Sequence, residues 1–185
     1  MAGRVSVGAA PAAGVEIRPA VAGDLPAIRD IYNHYVREST VTFDEIETTL
    51  ADWETKAAVL AAAGLPFLVA EDTGPEAEDG ADRVIGYALL QHWRPKSAYR
   101  FSVEDSIYLR PGAGGRGLGR VLLSALLDAG TAAGLREVIA VIEPTAAAGS
   151  IALHRRFGFE EAGRLERVGV KFGRSLDVLF LQKSL

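Results

Sequence analysis

The chain has 185 residues, with 20 basic and 24 acidic side chains, three histidines and no cysteine. This length suits one domain, which can bury about 70% of its unfolded surface without cross-links. The composition excludes disulfides, thiolate catalysis and cysteine metal sites. Three scattered histidines argue against a metal centre, and a net charge of −4 provides no overall basic field for nucleic acid.

The start of the chain and one internal segment lack the patterns of helices and strands. Residues 1–14 are small and without the apolar core of a secretory signal, so we predict a disordered tail ahead of a single domain at 15–185. Residues 72–82 are acidic and rich in turn-forming residues, which predicts an exposed loop between two strands. No apolar run approaches the roughly 18 residues needed to cross a membrane, and we expect a cytoplasmic protein.

The first half of the domain predicts one strand, two helices and three further strands. A short strand at 15–20 precedes a helix that Asp24 caps, that carries Pro26 in its first turn and that runs to about Arg37. A second helix is predicted at about 50–63. Three strands follow, at 66–71, 83–93 and 99–109. The last two are long enough to form a central antiparallel pair.

The second half predicts a long helix, a strand, a short helix and two final strands. From Gly117 onward, apolar residues recur at the spacing of one helix face. Residues 137–142 predict a buried strand, and 149–159 predict a short helix that Ser150 caps and Gly158 ends. The final strands are predicted at 159–170 and 176–185.

The segment "RPGAGGRGLGR", which we call the glycine-rich loop (residues 110–120), contains five glycines and three arginines. It connects a predicted strand to the long helix. Glycine lets backbone amides approach a ligand closely, and a helix start offers unpaired N–H groups with partial positive charge. The loop therefore predicts a phosphate site. The alternative is a flexible surface connection.

The glycine-rich loop partly resembles two nucleotide-binding patterns, and neither fits in full. Gly112, Gly114 and Gly117 match the dinucleotide pattern G-x-G-x-x-G, with Glu143 as the acid that would bind a ribose. However, Pro111 separates the strand from the first glycine, and too few residues follow Glu143 for the further strand–helix units. The mononucleotide pattern fails because its lysine and hydroxyl residue are missing. Another phosphate ligand is required.

The element order, with a glycine-rich turn between the fourth strand and the long helix, resembles the GNAT superfamily of acyl-CoA-dependent N-acetyltransferases over about residues 15–184. The resemblance implies a single-domain α/β (α+β) fold, in which about four helices flank a mixed, mostly antiparallel sheet of about seven strands. It also implies that loop amides cradle the pyrophosphate of coenzyme A. Gly117 and Gly119 fit the family's loop pattern, whereas Gly114 stands where Gln or Arg is usual.

More specifically, the chain resembles the phosphinothricin and methionine sulfoximine N-acetyltransferases, which acetylate the α-amino group of unusual amino acids. The matching segments are 31–44, 96–109, 140–144, 150–159 and 170–182. Four residues depart from the usual pattern. Lys96 stands where many relatives carry Arg, Ala147 where Asn is usual, Val170 where Tyr or Arg is common, and Ser175 where Trp is usual.

The resemblance implies acetyl-CoA as cosubstrate and no metal. The residues expected to contact the coenzyme are Ile107, Tyr108, Leu109, Gly112, Gly114, Gly115, Arg116, Gly117, Leu118, Gly119, Arg120 and Ser150. Of the amides of Ile107 and Leu109, one is expected to bind the pantetheine arm and the other the developing oxyanion. Tyr108 is expected to pack or to line the acyl site.

Acetyl transfer needs a group that accepts a proton from the α-ammonium of the substrate. The resembled family places a catalytic or amine-positioning glutamate at Glu104; the alternative is a carboxylate on a solvated strand face. Asp105 must point to the opposite face of the strand and is the better candidate for such a solvated carboxylate. His154 lies close to the coenzyme sulfur in the family's fold, where it assists proton removal or shapes the pocket. A structural histidine is the alternative.

The substrate's carboxylate or acidic side chain suits a guanidinium group, for which Arg100 is the candidate, with Lys96 as a weaker assistant. An exposed, ion-paired strand arginine is the alternative. The full set of substrate-side candidates is Lys96, Tyr99, Arg100, His34, Phe43, Lys171 and Phe172. Lys171 and Phe172 are expected to close over the substrate from the same subunit or from a partner.

The sequence thus predicts an enzyme that moves an acetyl group from acetyl-CoA to a small amino-acid-like amine, by direct attack in a ternary complex. Two alternatives remain open: a non-catalytic acyl-CoA-binding or sensing domain, and a peptide N-terminal acetyltransferase. A homodimer is expected, because family members commonly pair through the C-terminal region and the apolar segment 178–181 supplies a sheet edge.

Overall fold

The structure is a computed structural model that describes residues 14–75 and 83–185. Residues 1–13 of the predicted tail and 76–82 of the predicted acidic loop lie outside the described residues. Within the described part of the chain, no helix combines the length and apolar character needed to span a membrane.

The described residues form a seven-stranded sheet and four α-helices. The strands are β1 (Val15–Pro19), β2 (Phe67–Asp72), β3 (Val84–His92), β4 (Ser102–Leu109), β5 (Glu137–Ile142), β6 (Glu160–Lys171) and β7 (Arg174–Ser184). The helices are α1 (Leu25–Glu38), α2 (Leu50–Ala62), α3 (Leu118–Ala132) and α4 (Ala148–Arg156). The strand order is β1-β2-β3-β4-β5-β7-β6, and every neighbouring pair is antiparallel except β4–β5. The predicted α+β architecture is confirmed.

Alternation along β3 shows how the helices cover both faces of the sheet. Tyr87 points toward α1 and α2, where its ring meets Trp53 at a centroid distance of 5.4 Å. Gly86 points the other way, and a methyl group built on it would lie 3.3 Å from Leu122 of α3. Helix α4 shares this second face, because a methyl group on Gly119 of α3 would lie 3.2 Å from Leu153. The two faces therefore have separate helix pairs.

Helix α3 confirms the long helix predicted after Gly117. Leu118, Leu122 and Leu126 recur every four positions along one side and are fully buried against the sheet. Replacing one such leucine with alanine typically costs about 2–5 kcal/mol. Packing of this face therefore holds the glycine-rich loop at a defined distance from the strands.

Strands β4 and β5 are paired over only part of their length. The parallel register runs from Ser102 opposite Glu137 to Glu104 opposite Ile139, and no later pair forms between the two strands, which lie entirely within the described residues. Beyond this point the strands part. We call the space between them the β4–β5 opening.

Two local predictions are wrong, and a third holds in part. Tyr99 belongs to a short 3-10 turn (Ser97–Tyr99), and β4 begins at Ser102. The hydrogen bond from Trp93 N to Ser102 O, at 3.1 Å, is the last one between β3 and β4 at this end, because Pro95 has no N–H to continue the pairing. Ser150 does not cap α4; Ala147 holds that position. Asp24 holds the N-cap position of α1, as predicted, but its carboxylate accepts hydrogen bonds from Arg18 and from Val21 N instead of from the helix.

The placement of the last strand is also different from the prediction. The apolar segment 178–181 lies in β7, which is inside the sheet between β5 and β6. The hairpin turn at Gly173, with φ of 69°, folds the chain so that β6 becomes the edge strand. On this edge Leu165, Val168 and Val170 are 49%, 51% and 65% exposed. The open apolar edge is therefore β6.

Candidate active site

The glycine-rich loop presents a row of backbone donors. Gly112, Gly115 and Gly117 have φ of 84°, 80° and 75°, and, apart from their chain neighbours, no heavy atom of the described residues lies within 4 Å of a methyl group built on any of them. The N–H groups of residues 114–119 have no acceptor among the described residues. Consecutive amides in turns of this kind form an anion-binding concavity at the start of a helix. Ala113 and Leu118 are buried and anchor the loop.

Two arginines of the loop lie on the surface beside these amides. Arg116 Nη1 is 3.8 Å from Asp72 Oδ2, and both Arg116 and Arg120 are exposed. An exposed pair at this distance contributes little to stability. Both guanidinium groups are thus available to phosphate groups bound at the loop.

The end of β4 offers further donors to the β4–β5 opening. Phe101 O accepts from Arg136 N and Glu137 N on the β5 side, whereas Arg110 N donates to Ile85 O on the β3 side. Because peptide groups alternate along a strand, the N–H groups of Ile107 and Leu109 face the opening. The Tyr35 hydroxyl donates to Leu109 O at 2.7 Å and holds this end of the strand. The opening and the loop together fit a long, phosphate-bearing thioester.

Glu104 lies on the α1/α2 face of β4 and is half-buried. Burial raises the pKa of its carboxyl above the ordinary value, and the charge of Asp105 raises it further, while Arg94 and Lys56 oppose the rise. A carboxyl in this environment can exchange a proton more readily near neutral pH than a fully solvated one.

Aromatic side chains from three elements surround the space beside Glu104. The Tyr108 ring stacks on Tyr87 at 5.5 Å and meets Tyr32 edge-on at 5.2 Å. Burial raises the pKa of Tyr108 well above its ordinary value, so its hydroxyl stays protonated. Tyr108 therefore packs in this wall, and its contact with the coenzyme stays a prediction.

The loop between α1 and α2, residues 39–49, supplies polar groups to the same space. The Tyr32 hydroxyl donates to Asp44 Oδ2 at 2.6 Å and lies 2.8 Å from Thr42 Oγ1. Lys56 lies close enough to Asp44 and Glu104 for the charges to interact, and its Nζ is 5.0 Å from the centre of the Trp53 ring. The site is thus lined by charges of both signs.

Five of these residues are not among the sequence-based candidates: Tyr32, Thr42, Asp44, Lys56 and Arg94. Arg94 carries a detectable signal, because it lies two positions before Lys96 in the same basic segment. Lys56 follows Trp53 by three positions and so shares its helix face. No sequence pattern distinguishes Tyr32, Thr42 and Asp44 from ordinary core or loop residues.

Two buried contacts hold the α1–α2 loop in place. Lys171 is 1% exposed and donates from Nζ to Thr42 O at 2.8 Å. Glu143 accepts from Thr40 Oγ1 at 3.1 Å and from Thr145 N and Ala146 N at 2.9 and 2.7 Å. The Lys171 ammonium is buried against this loop, and its closure over a substrate stays a prediction. The Glu143 carboxylate is also engaged, because it closes the turn at residues 143–146.

The other substrate-side candidates occupy three separate places. Arg100 is exposed, stacks over Phe101 at 4.5 Å and donates to Ser97 O at 3.3 Å; Lys96 and Tyr99 lie exposed in the same turn. Arg100 is not among the charges that act on Glu104. The cations that the structure brings to Glu104 are instead Arg94 and Lys56.

The candidates Phe43, Phe172 and His34 do not surround Glu104. Phe43 packs on Gly169 of β6, and Phe172 is exposed in the β6–β7 turn next to Lys171. His34 lines a pocket of about 300 Å³ together with Arg110 and Pro111 at the base of the glycine-rich loop. His34 is thus closer to the phosphate side than to the amine side.

Asp105 and His154 meet on the opposite, α3/α4 face of β4. His154 Nε2 lies 2.9 Å from Asp105 Oδ2, and Nδ1 lies 2.7 Å from Ser150 O. The Ser150 hydroxyl is 3.3 Å from the same Nδ1. Asp105 is therefore buried and paired, and the prediction of a solvated carboxylate is wrong. Both ring nitrogens of His154 are occupied.

Away from Glu104 and the glycine-rich loop, the described residues also form an apolar groove. A groove of about 600 Å³ lies between the start of α1 and the ends of α2 and α3; its lining is apolar except for Glu54. Among residues 14–75 and 83–185 no group of three or more acidic, histidine or cysteine side chains could hold a metal ion.

Comparison with known proteins identifies the family. A family model described as "Acetyltransferase (GNAT) family" matches residues 28–159. The chain belongs to the GNAT acetyltransferase family. The sequence-based predictions of family, fold and enzyme class are confirmed.

Individual GNAT relatives match almost the whole domain. The phosphinothricin N-acetyltransferase of Alcaligenes faecalis is 41% identical over 162 residues, which are 88% of this chain and 78% of the relative. The L-methionine sulfoximine/L-methionine sulfone acetyltransferase of Pseudomonas aeruginosa is 43% identical over 169 residues, 91% of this chain and 94% of the relative. The crystal structure of a GNAT superfamily phosphinothricin acetyltransferase from Sinorhizobium meliloti, in complex with AcCoA, superposes with a TM-score of 0.85 at 41% identity, covering 93% and 89% of the two chains.

Proposed function

We propose that this GNAT protein transfers an acetyl group from acetyl-CoA to the α-amino group of a small amino-acid-like substrate of the phosphinothricin, methionine sulfoximine or methionine sulfone type. The observation that carries the proposal is the position of Glu104. The charges of Arg94 and Lys56 act on this half-buried carboxyl, which lies on the α1/α2 side of β4, three residues before the Ile107 amide that faces the β4–β5 opening. The names of the relatives point to the same class of substrate.

The charges around Glu104 suit a zwitterionic amine. Glu104 and Asp44 attract an ammonium group, while Arg94 and Lys56 attract a carboxylate or an acidic side chain. The Tyr32 and Tyr108 rings form an apolar wall between these charges. A substrate with one positive and one or more negative groups is therefore favoured over an uncharged amine.

Glu104 is the proposed proton acceptor. An α-ammonium is mostly protonated near neutral pH and must lose a proton before nitrogen can attack a carbonyl carbon. The raised pKa of Glu104 brings its basicity closer to that of the amine, and transfer occurs directly or through one water. His154 has both nitrogens occupied, so the proposal assigns the proton to Glu104 and gives His154 a structural role.

The residues of the opening and the loop would hold the cosubstrate. The cosubstrate supplies a thioester, whose carbonyl carbon bonds to the amine nitrogen as its C–S bond breaks and the sulfur leaves as a thiol. The N–H groups of Ile107 and Leu109 are placed to bind the pantetheine arm and to stabilise negative charge on the carbonyl oxygen. The free amides of 114–119, with Arg116 and Arg120, would bind the pyrophosphate.

A homodimer is part of the proposal. The exposed apolar residues Leu165, Val168 and Val170 lie on the open edge strand β6, which can pair with a second copy. Light scattering at micromolar concentration should give twice the monomer mass, and a monomer would contradict this part. The cytoplasmic location stays a prediction.

The proposed reaction is tested by acetyl-CoA-dependent thiol release with a panel of amines. The panel contains phosphinothricin, methionine sulfoximine, methionine sulfone, free amino acids and short peptides. We expect turnover with the zwitterionic amines and little with peptides, whose amino terminus lacks an adjacent carboxylate. Preferred turnover of peptides would support an N-terminal acetyltransferase. Tight acetyl-CoA binding without turnover of any amine would support an acyl-CoA-binding domain.

The proposed phosphate cradle has a separate test at Gly117. Its φ of 75° disfavours a β-branched side chain, so Gly117→Val should distort the loop. We expect the KM for acetyl-CoA to rise on the order of tenfold or more, with a much smaller change in the KM for the amine. Equal changes in both constants would contradict a cradle at this loop.

A further inference from the structure

The β4–β5 opening begins at a buried pair of side chains that the proposed reaction does not use. Asp105 is the first β4 residue beyond the last parallel pair with β5, and it points to the α3/α4 face. His154 reaches it from α4, with 2.9 Å between Nε2 and Oδ2. The side chains are 2% and 4% exposed. The pair therefore links β4 to α4 where the strand ladder stops.

The hydrogen bonds define the protonation of His154. Ser150 O can only accept, so Nδ1 at 2.7 Å carries a hydrogen. Burial by itself lowers the pKa of His154, but the bond to Asp105, its charge and the Ser150 carbonyl together raise the pKa above its ordinary value. The favoured form is thus an imidazolium that donates from both nitrogens, to Asp105 and to Ser150 O.

Helix α4 connects this pair to the other side of the opening. Leu153, the neighbour of His154, touches α3 at Gly119 in its first turn, where a methyl group would lie 3.2 Å from Cδ2. The His154 ring also packs edge-on against Phe159 at 4.9 Å. A shift of α4 relative to β4 would therefore change both the strand amides and the start of α3 next to the glycine-rich loop.

Stability alone does not explain this arrangement. Asp105 Oδ1 is buried and has no hydrogen-bond partner in the part of the chain that the structure describes. A buried ion pair is often no more stable than apolar side chains of similar volume, and an unpaired carboxylate oxygen adds a further desolvation cost. What a charged pair does provide is one defined distance and orientation.

We infer that Asp105 is a positioning residue, which through His154 fixes α4 against β4 and so sets the shape of the opening that receives the coenzyme. The inference rests on the proposed function, because it assumes that the coenzyme enters at this opening. Neither side chain is required to touch a reacting atom. The pair affects the affinity for the cosubstrate. It does not affect binding of the amine, which takes place on the other face of β4.

The test uses Asp105→Ala, His154→Ala and the double variant in the full-length protein. Calorimetry gives the Kd for acetyl-CoA, and steady-state assays give the KM for acetyl-CoA and for the amine separately. Asp24→Ala is the matched control, since it removes another buried carboxylate, paired with Arg18 at 2.7 Å and remote from the opening. Asp105→Asn is the conservative variant, because its amide can donate to Nε2 of a neutral His154.

We expect each alanine variant to raise the Kd and the KM for acetyl-CoA on the order of tenfold, with the amine KM nearly unchanged. The double variant should be no worse than the singles, because both remove one contact. Asp105→Asn should restore most of the affinity, and Asp24→Ala should keep it. Unchanged Kd in folded alanine variants, additive effects or an equal rise in the amine KM would overturn the inference.

Hydrogen exchange provides a readout that does not depend on activity. In Asp105→Ala the amides of Ser106 and Tyr108, which face β3, should exchange faster, while those of β2 remain as in the wild type. Unchanged exchange in β4 would contradict a positioning role. If the wild-type protein itself fails to bind acetyl-CoA, the proposed function fails. If the wild type binds and the variants bind equally well, only the positioning inference fails.

Discussion

Glu104 and Asp105 are neighbours in the sequence, yet the fold gives them different surroundings. Glu104 points to the α1/α2 face, is half-buried and lies near Arg94, Lys56 and the tyrosine wall. Asp105 points to the α3/α4 face, is fully enclosed and pairs with His154. Alternation along β4 separates an acid that is open to a substrate from one that holds two elements together.

The largest expected effect is on the Glu104 side. Glu104→Gln keeps the shape of the side chain but removes its basicity, so turnover near pH 7 should fall by roughly 10²–10⁴, the usual contribution of a general base. The affinity for acetyl-CoA should not change. The loss should shrink as the pH rises, because more of the amine is then already neutral. Rates across pH 6–9 check this, and near wild-type turnover at neutral pH would remove Glu104 from the mechanism.

Replacing Asp105 should have the opposite result: the stability of the fold should fall more than the rate of proton transfer. Asp105→Ala leaves a buried imidazolium without its partner, which typically costs about 3–5 kcal/mol of unfolding free energy. Urea unfolding of both variants provides the comparison, and Glu104→Gln should lie close to the wild type. A similar loss of stability in the two variants would contradict the different roles of the two faces.

The pH dependence of stability should identify the Asp105–His154 pair. The folded-state pKa of His154 is raised, so its contribution is fully present below the unfolded value of about 6.5 and is lost as the pH rises through the folded-state pKa. The difference in unfolding free energy between wild type and His154→Gln should therefore be larger at pH 6 than at pH 9. A difference that grows with pH would mean that His154 is buried in its neutral form.

The smallest effect is expected from replacing Lys56, an exposed lysine whose charge acts on Glu104. Lys56→Met removes one exposed cation, so the KM for an acidic amino acid should rise by about fivefold or less, the contribution of one exposed ion pair. The KM for acetyl-CoA and the stability should stay the same. Arg100→Met, in the turn before β4, is the matched control and should leave both constants near their wild-type values. A larger effect at Arg100 would restore the sequence-based candidate.

Local sequence patterns predicted the elements well because helices and strands bury one face with a regular period. The leucines of α3, the long apolar strands and the glycine-rich loop all carried such signals. Ser150 and Arg100 were misplaced, because a capping residue and a strand boundary depend on bonds from distant residues. For β4 these bonds include those from Arg136 N and Glu137 N to Phe101 O.

The sequence by itself determined the family, the order of the elements and the glycine-rich loop, since all three follow from contiguous residues. It also determined that Glu104 and Asp105 point to opposite faces. Only the tertiary structure decided which charges meet each of them, because Lys56, Arg94 and His154 come from separate segments. It also decided that β6 and not β7 is the open edge, since the two strands of a hairpin have similar patterns and only pairing with β5 distinguishes them.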